Sequence, residues 1–312
     1  MIDTISKKVN NNLVQRAWLL RKEVGHTPLY PVKKLFSRKK VELYAKQEWK
    51  QLGGSVKCRP AYNIILKALE NGDLNERKTL LDATSGNTGI AYAAIAAKIG
   101  IKVAICLPEN ATKERKAILQ SLGVEIIFTS RLEGTDGAQL VAKDLIKKYP
   151  DKYFYADQYR NANNWKAHYY TTAPEIFSAL PGITHFVAGL GTTGTFVGTG
   201  RRLRELNPSI HLTSLQPDTA LHALEGWKHL ETAAVPLIYD ASVANENLEI
   251  STEEAYEIIK AGARHENLLL SPSSAANIAG ALKVIEKIEK GVVVTVLPDN
   301  AEKYSEVIRK LI

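Results

Sequence analysis

An alternation of strand-like and helix-like segments constrains the fold of this chain more than any other feature. Between residues 61 and 148, short apolar runs such as Thr79–Asp82 and Lys102–Leu107 are each followed by a segment with apolar residues at helical spacing. This alternation is typical of βαβ units, which build a parallel sheet with helices on both faces. Because the pattern resumes between residues 165 and 297, the sequence predicts an α/β protein with two open twisted sheets flanked by helices.

The boundaries of the predicted elements follow from apolar periodicity and from turn residues such as Gly100 and Pro108. Asn110 is the predicted N-cap of the helix after Pro108, and Ser251 or Thr252 is predicted to begin another helix. The predicted strands are 41–48, 79–82, 102–107, 125–128, 184–188, 211–215 and 292–297. The predicted helices are 4–21, 61–70, 89–98, 111–122, 137–148, 165–180, 195–206, 252–266 and 276–290.

Size and composition exclude several classes of protein. The 312 residues suffice for two domains with large cores, and 45% hydrophobic with 24% charged residues is typical of a soluble globular protein. We expect a cytoplasmic protein without a membrane partner, because the sequence has no run near the ~18 apolar residues that a spanning helix needs. Cys58 and Cys106 form no disulfide framework, and the seven histidines lack metal-ligand spacing, so no metal site is expected.

The net charge of +8 does not indicate a nucleic-acid partner. The 41 Lys and Arg residues are interleaved with 33 Asp and Glu residues along amphipathic helices, as on an ordinary solvated surface. Only Arg38-Lys39-Lys40 forms a basic cluster, and no repeating aromatic pattern accompanies it. The charge suits a mild attraction of small anionic substrates instead.

Gly53–Lys57 places one lysine between a glycine turn and an apolar helix. Glycines permit a tight backbone approach, and the following apolar residues recur at helical spacing. A lysine amine in a rigid, desolvated setting can form a Schiff base with an aldehyde cofactor. Lys57 is therefore the candidate nucleophile, and a surface lysine before an ordinary helix is the alternative if no partner motif exists.

Two further loops each follow a predicted strand and precede a predicted helix. Asp82–Gly89 is rich in hydroxyl, amide and backbone N–H groups, which suit a carboxylate. Gly189–Thr195 combines glycines with threonines, which can wrap a phosphate at a helix N-terminus. Because ligands of open α/β sheets bind beyond the carboxyl ends of the strands, both loops are in the expected place for a site.

These segments together resemble the cysteine synthase and cystathionine β-synthase branch of the fold-type II pyridoxal phosphate enzymes, which have a fold like that of tryptophan synthase β. The resemblance covers nearly the whole chain, because Gly25–Leu29, Thr171–Ile176 and Pro298-Asp299 match the family's motifs in order. It implies pyridoxal 5′-phosphate as the cofactor.

The resemblance also implies a role for individual residues. Lys57 is the Schiff-base lysine and the general base, and Ser273 bonds to the pyridine nitrogen of the cofactor, with Ser274 or a helix N-cap role as the alternatives. The implied cofactor-binding residues are Lys57, Asn87, Gly191, Thr192, Thr193, Gly194, Thr195 and Ser273. The implied substrate-binding residues are Thr84, Ser85, Thr88 and Gln158.

The implied activity is that of a transferase that catalyses β-replacement. A cysteine synthase converts O-acetyl-L-serine and sulfide into L-cysteine and acetate by elimination to an aminoacrylate and addition of the nucleophile. Alternatives are an O-phosphoserine-dependent cysteine synthase, a cystathionine β-synthase and a synthase of a specialised β-substituted alanine. A serine or threonine dehydratase is disfavoured, because its loops carry a different asparagine motif. A non-catalytic interaction protein is disfavoured by the intact Lys57 and phosphate turn.

The resemblance further implies a division into domains and a set of partners. Residues 1–44 and 155–312 would form a larger cofactor-binding domain, and residues 45–154 a smaller mobile one. The partners would be an activated serine and sulfide, a second copy of the chain in a homodimer, and a serine acetyltransferase.

Four positions depart from the family's pattern. Cys58 replaces an aspartate, and Thr193 replaces a common glycine in the phosphate turn, while Ala173 and Ala275 stand where glycines are usual. We interpret Cys58 as a small buried hydrophobic residue, with a reactive thiol as the alternative.

The segment 221–229 differs from the family's usual gate over the substrate, which leaves the choice of donor open. Lys228 is interpreted as a lysine on a solvated loop. The alternative is that Lys228, with His222 or His229, supplies a cation that receives a phosphate leaving group.

Overall fold

The computed structural model describes residues 12–84 and 86–311. The predicted helix 4–21 therefore lies partly outside the described residues, as does Ser85. Strands among these residues are β1 (Leu29–Val32), β2 (Val41–Gln47), β3 (Thr79–Ala83), β4 (Lys102–Pro108), β5 (Glu125–Thr129), β6 (Tyr153–Tyr155), β7 (His185–Gly189), β8 (His211–Pro217), β9 (Glu246–Ile250) and β10 (Gly291–Leu297). Helices are α1 (12–19), α2 (Cys58–Asn71), α3 (Asn87–Ile99), α4 (Lys113–Ser121), α5 (Gly134–Lys148), α6 (Asn163–Tyr170), α7 (Thr172–Ala179), α8 (Gly194–Leu206), α9 (Thr252–Ala261), α10 (Pro272–Glu286) and α11 (Ser305–Leu311).

The chain divides into two compact units, of which unit 1 comprises residues 1–25 and 51–164 and unit 2 comprises residues 26–50 and 165–312. Unit 1 contains a four-stranded parallel sheet in the order β5-β4-β3-β6. Unit 2 contains a six-stranded sheet in the order β1-β2-β10-β7-β8-β9, in which only β1 is antiparallel to its neighbour. The predicted α/β class with two sheets is confirmed. The prediction of a mobile domain at 45–154 concerns motion as well as boundaries, and it stays a prediction.

Alternating side chains along the strands of unit 1 pack against helices on both faces of its sheet. Val103, Ile105 and Leu107 of β4 pack into the core that contains α2 and α3. The residues between them, Ala104 and Cys106, pack on the opposite face with small residues of α5. Since successive side chains of a strand point to opposite faces, one apolar strand supplies both cores.

Helices also cover both faces of the sheet in unit 2. Residues of α9 and α10 pack into one core with Leu43, Val187 and Val293. On β7 the next residue, Phe186, stacks on Phe196 of α8 with ring centroids 6.4 Å apart. The phosphate turn predicted between β7 and α8 is thus held by two elements that pack on each other.

Several helix boundaries differ from the prediction for identifiable reasons. The predicted helix 165–180 is two helices, α6 and α7, because Thr171 leaves helical geometry and its hydroxyl donates to the Ala167 carbonyl oxygen. Helix α10 begins four residues earlier than predicted, since Ser271 caps it and Pro272 occupies its first position. The N-cap of α4 is Thr112, so the prediction of Asn110 was wrong. Ser251 caps α9 in a capping box with Glu254, and a π-helical turn at Gly262–Glu266 replaces the predicted continuation.

Candidate active site

Lys57 lies at the N-cap position of α2, and its side chain is half-buried. The glycine turn before it is as tight as predicted, because Gly53 has φ +76° and a Cβ there would lie 3.2 Å from Ala91 Cα. Ala91 belongs to α3, the helix that begins at Asn87. Unit 1 therefore brings the lysine loop against the helix that the carboxylate loop leads into.

The carboxylate loop runs from the end of β3 into α3, and Thr84 and Thr88 are both buried. The Thr84 hydroxyl accepts from the Gly86 N–H at 3.0 Å, and the Thr88 hydroxyl donates to Gln158 Oε1 at 2.8 Å. Gln158 Nε2 in turn donates to the Ala83 carbonyl oxygen at 2.8 Å. The structure thus brings together three of the four predicted substrate residues, and the fourth, Ser85, lies outside the described residues.

A buried arginine packs against this loop. Arg115 of α4 is 2% exposed, and its side chain occupies the space where a Cβ on Gly86 would stand. Gly86 has φ +143°, a conformation that side chains rarely adopt, so the loop requires glycine here for two reasons. Arg115 places a cation beside a loop that suits an anion, and no sequence pattern identified it.

A titratable group lies at the base of the same loop. Asp82 is fully buried at the end of β3, and its carboxylate accepts from the Ala83 N–H at 2.8 Å and from the Tyr92 hydroxyl at 2.9 Å. Burial raises the pKa of Asp82 to about 7, although both hydrogen bonds oppose the shift. Burial also raises the pKa of Asp157, a like charge that interacts with Asp82. An acidic residue inside an apolar strand was the signal in the sequence that could have drawn attention to Asp82.

In unit 2, the turn between β7 and α8 has the properties of an anion-binding loop. Thr192 and Thr193 are buried, and Thr193 occupies the N-cap position of α8 with φ +72°, which is unusual for a β-branched residue. The Leu190 N–H donates to the Leu215 carbonyl oxygen at 2.8 Å, which fixes the start of the turn. The first N–H groups of α8 have no acceptor within the helix, and they are available to a ligand.

The segment at residues 224–228 packs directly on this turn. A Cβ on Gly191 would overlap the Gly226 carbonyl oxygen, and one on Gly189 would overlap the Trp227 ring. The Lys228 N–H donates to the Leu190 carbonyl oxygen at 2.8 Å, and the Lys228 side chain is 8% exposed. The interpretation of Lys228 as a solvated lysine was therefore wrong.

Ser273 lies in the first turn of α10 and is buried. Ser271, not Ser273, is the N-cap, and its hydroxyl oxygen lies 3.3 Å from that of Ser273. The Ser274 hydroxyl donates to the Asp299 carbonyl oxygen at 2.6 Å. Further along α10, Asn277 Oδ1 accepts from the Gly189 N–H at 2.8 Å, so unit 2 also ties this helix to the start of the phosphate turn.

Two family motifs have a structural role in unit 2. Glu175 forms an ion pair with Lys46 Nζ at 2.8 Å and accepts from the His26 N–H at 3.0 Å. Lys46 also donates to the Thr27 carbonyl oxygen, and the Thr27 hydroxyl donates to Glu48. The motifs around Thr27 and Glu175 therefore hold each other through a buried lysine.

Cys58 of unit 1 is fully buried, as interpreted from the sequence.

The profile of the pyridoxal-phosphate dependent enzymes matches residues 20–299 of this sequence. The chain belongs to this family. A cysteine synthase of Aquifex aeolicus is 45% identical to this pyridoxal-phosphate dependent enzyme over 291 residues, which cover 91% of this chain and 89% of the relative. An O-acetylserine dependent cystathionine beta-synthase of Bacillus subtilis is 35% identical and covers 90% of this chain and 94% of the relative. The crystal structure of a cysteine synthase from Entamoeba histolytica superposes with a TM-score of 0.88 at 29% identity and covers 94% and 90% of the two chains.

The cofactor of this pyridoxal-phosphate dependent enzyme is pyridoxal phosphate, and the turn before α8 fits its phosphate group. The Thr193 hydroxyl is buried and has no hydrogen-bond partner among residues 12–84 and 86–311. A buried hydroxyl without a partner costs free energy unless a ligand satisfies it.

Within residues 12–84 and 86–311, no helix is long and apolar enough to cross a membrane, and no group of three or more His, Cys, Asp or Glu residues could hold a metal ion.

Proposed function

We propose that this chain is a cysteine synthase, which forms L-cysteine and acetate from O-acetyl-L-serine and sulfide. The observation that carries the proposal is the 45% identity to a cysteine synthase across 91% of this chain, including the lysine loop and both anion loops. The pyridoxal phosphate cofactor withdraws electrons from the Cα of a bound amino acid, which allows the Cα proton and then the β-substituent to leave.

Lys57 holds the cofactor covalently in this proposal. Its position at the start of α2, behind a glycine turn packed on α3, gives the amine a short and rigid approach. Besides holding the cofactor, the Lys57 amine would be the general base that removes the Cα proton. The same residue therefore anchors the cofactor and moves the proton.

The phosphate is held by backbone N–H groups and hydroxyls of the α8 turn. The residues proposed for it are Gly191, Thr192, Thr193, Gly194 and Thr195. Because neutral donors at a helix N-terminus stabilise a dianion, the turn needs no cation of its own. Asn87, the first residue of α3, is proposed to contact the ring hydroxyl of the cofactor.

Thr84, Ser85, Thr88 and Gln158 are proposed to bind the substrate carboxylate. The Gln158 amide has a second N–H besides the one donated to Ala83, and a carboxylate is an acceptor for it. The buried Arg115 guanidinium beside Gly86 adds a positive charge to this loop.

Ser273 is proposed as the partner of the pyridine nitrogen. The Ser274 hydroxyl donates to Asp299, which leaves Ser273 as the better choice of the two serines. A hydroxyl stabilises a protonated pyridine nitrogen less than a carboxylate does, since it carries no charge. This favours elimination of the β-substituent over racemisation or transamination.

Two other β-replacement activities have specific support. The Bacillus subtilis relative is an O-acetylserine dependent cystathionine beta-synthase, which shares the donor and differs in the nucleophile. The O-phosphoserine-dependent alternative rests on Lys228, a buried lysine whose backbone N–H donates to Leu190 at the start of the phosphate turn. We propose in addition that the enzyme is a cytoplasmic homodimer, with serine acetyltransferase as a further partner.

Donor titrations test the proposed function. The holoenzyme is titrated with O-acetyl-L-serine and with O-phospho-L-serine while its visible absorbance is recorded, and sulfide or homocysteine is then added. We expect O-acetylserine to change the spectrum and sulfide to restore it with formation of cysteine. If homocysteine restores the spectrum much faster than sulfide does, the chain is a cystathionine β-synthase instead. If neither donor changes the spectrum, β-replacement of these substrates is excluded.

A further inference from the structure

A buried histidine connects three helices of unit 2 at the phosphate turn. His168 of α6 is 1% exposed. Its Nδ1 lies 2.9 Å from the Thr172 hydroxyl of α7, and its Nε2 lies 3.3 Å from the Thr195 hydroxyl of α8. Thr172 is fully buried, whereas Thr195 is half-buried and belongs to the turn proposed for the phosphate.

Packing fixes the position of the imidazole ring. Helix α8 approaches α6 so closely at Gly198 that a Cβ there would overlap the Trp165 carbonyl oxygen and lie 3.0 Å from His168 Cβ. On the same side of α8, the Arg201 guanidinium lies over the Trp165 ring at 4.6 Å from its centroid. The two ring nitrogens therefore face their threonines because of the packing of the helices.

The two neutral tautomers of His168 give the Thr195 hydroxyl opposite properties. A neutral imidazole has one N–H donor and one acceptor nitrogen, and each threonine hydroxyl has a single hydrogen. With the proton on Nε2, Thr172 donates to Nδ1 and Nε2 donates to the Thr195 oxygen, so the Thr195 hydrogen can be donated elsewhere. With the proton on Nδ1, Thr195 donates its hydrogen to Nε2 and can only accept from another group.

We propose that His168 is a positioning residue for the cofactor phosphate, and that its Nε2-protonated tautomer orients the Thr195 hydroxyl as a donor to that phosphate. The phosphate oxygens are acceptors, so of the two neutral tautomers only this one makes the Thr195 hydroxyl complementary to them. The inference rests on the proposed function, in which Thr195 binds the phosphate. It adds a residue that does not touch the ligand and acts through Thr195.

A double-mutant cycle tests whether His168 acts through Thr195. Apoenzymes of wild type, His168→Leu, Thr195→Val and the double variant are titrated with pyridoxal phosphate, and the dissociation constants are compared. We expect His168→Leu to weaken binding about tenfold in the wild-type background and less than about twofold in the Thr195→Val background. His265→Leu, which removes an exposed histidine of the same unit, is the control and is expected to bind as wild type does.

The results of this cycle distinguish a failure of this inference from a failure of the proposed function on which it rests. If His168→Leu costs the same factor in both backgrounds, His168 has only a structural role and the inference is wrong, while the phosphate turn stands. If Thr195→Val does not weaken binding, the assignment of Thr195 to the phosphate fails and the inference fails with it.

A spectroscopic measurement on the unmodified chain covers the case in which His168→Leu does not fold. Nitrogen NMR of the holoenzyme labelled at its seven histidines distinguishes a protonated from an unprotonated Nε2, and His168→Gln assigns the His168 signal. We expect Nε2 protonated and Nδ1 unprotonated in the holoenzyme. A holoenzyme with the proton on Nδ1 alone would overturn the inference.

Discussion

Burial shifts the pKa of acidic residues in unit 1, and Asp82 is the clearest case. Its carboxylate is fully buried, and burial raises its pKa to about 7. The groups that face it are Tyr92 of α3, Cys106 of β4, Tyr155 of β6, and Asp157 and Tyr159 beyond β6. Asp82 is therefore protonated in the folded chain at pH values at which an ordinary aspartate is ionised.

Asp82→Asn is expected to alter how stability depends on pH. Between pH 4 and pH 7 the folded state binds a proton at Asp82 that the unfolded state has lost, so this group makes the wild type less stable as pH rises through that range and has no further effect above it. The shift from 3.8 to about 7 corresponds to a free-energy difference on the order of 4 kcal/mol. The melting temperature of Asp82→Asn relative to that of the wild type should therefore be higher at pH 7.5 than at pH 5. Asp151→Asn, at an exposed position, is the control, and an equal shift in both variants would contradict the expectation.

Lys57 is the residue on which turnover depends in the proposed function. Lys57→Ala should abolish covalent attachment of the cofactor and reduce cysteine formation to background, since the anchor and the base are lost together. Borohydride reduction followed by peptide mass analysis measures the attachment, and a coupled cysteine assay measures the turnover. Lys67→Ala removes an exposed lysine of the same helix and should retain both properties. Cysteine formation at the wild-type rate by Lys57→Ala would refute the role of this residue.

At the level of elements, the turn before α8 combines two unfavourable features at one residue. Thr193 has φ +72°, and its buried hydroxyl has no partner in the described part of the chain. A β-branched residue in this conformation costs on the order of 1–3 kcal/mol, and such strain is found where a ligand or a function offsets it. The combination supports the proposed role of Thr193 in cofactor binding, a role that would come at the expense of stability.

Thr193→Gly separates these two contributions. We expect the apoenzyme to gain stability, because glycine adopts positive φ without strain, and pyridoxal phosphate to bind about tenfold more weakly, because a hydroxyl donor is lost. Thr193→Ser keeps the hydroxyl and should bind the cofactor within about threefold of the wild-type affinity, under about 1 kcal/mol. The melting temperature of the apoenzyme and a cofactor titration provide the two measurements. Unchanged affinity in Thr193→Gly would remove this hydroxyl from the phosphate site.

The elements of this fold were predictable wherever local pattern determines them. Strands β3, β4 and β5 are apolar on both faces and alternate with helices, so their positions followed from the sequence within one or two residues. Strands β1, β6 and β9 were not predicted. They are short or carry charged residues, as β9 does with Glu246 and Glu249, and pairing with a neighbouring strand determines them more than their own pattern does.

The site was predictable to the same extent. Lys57 and the glycine loops could be found because glycine turns and strand ends leave a local signal. Arg115 and His168 could not, since each acts through a contact with a residue at least 27 positions away in the sequence. Lys228 was misinterpreted because the burial of a loop lysine depends on the segments that pack on it. Contacts distant in sequence thus account for what the pattern did not predict.

Across the whole molecule, family membership extends over both compact units. The family profile runs from residue 20 to residue 299, and each unit contains one of the two proposed anion loops. The formal charge of +8 is of the sign that attracts anionic substrates, and both proposed donors carry a carboxylate. The donor itself must then be chosen by charged groups close to the site rather than by the overall charge.

Lys228 is the residue that we expect to report on donor choice. Acetate leaves as a monoanion and needs little help, whereas phosphate leaves with close to two charges and requires a cation at bonding distance. The Lys228 backbone N–H donates to Leu190 at the start of the phosphate turn, and the residue is 8% exposed, so this lysine is buried in this part of unit 2. We nevertheless expect O-acetylserine to be the preferred donor, because the cysteine synthase of Aquifex aeolicus matches this chain along most of its length.

The test of donor choice is Lys228→Met, which keeps the volume of the side chain and removes its charge. We expect kcat/KM for O-acetylserine to stay within about threefold of wild type, a change in activation free energy under about 1 kcal/mol. Lys290→Met, at an exposed position of the same unit, is the matched control. Initial rates with both donors at saturating sulfide give the comparison. If O-phosphoserine is the faster donor in the wild type and Lys228→Met selectively removes that activity, the segment at residues 224–228 selects a phosphate leaving group and the enzyme is an O-phosphoserine-dependent cysteine synthase.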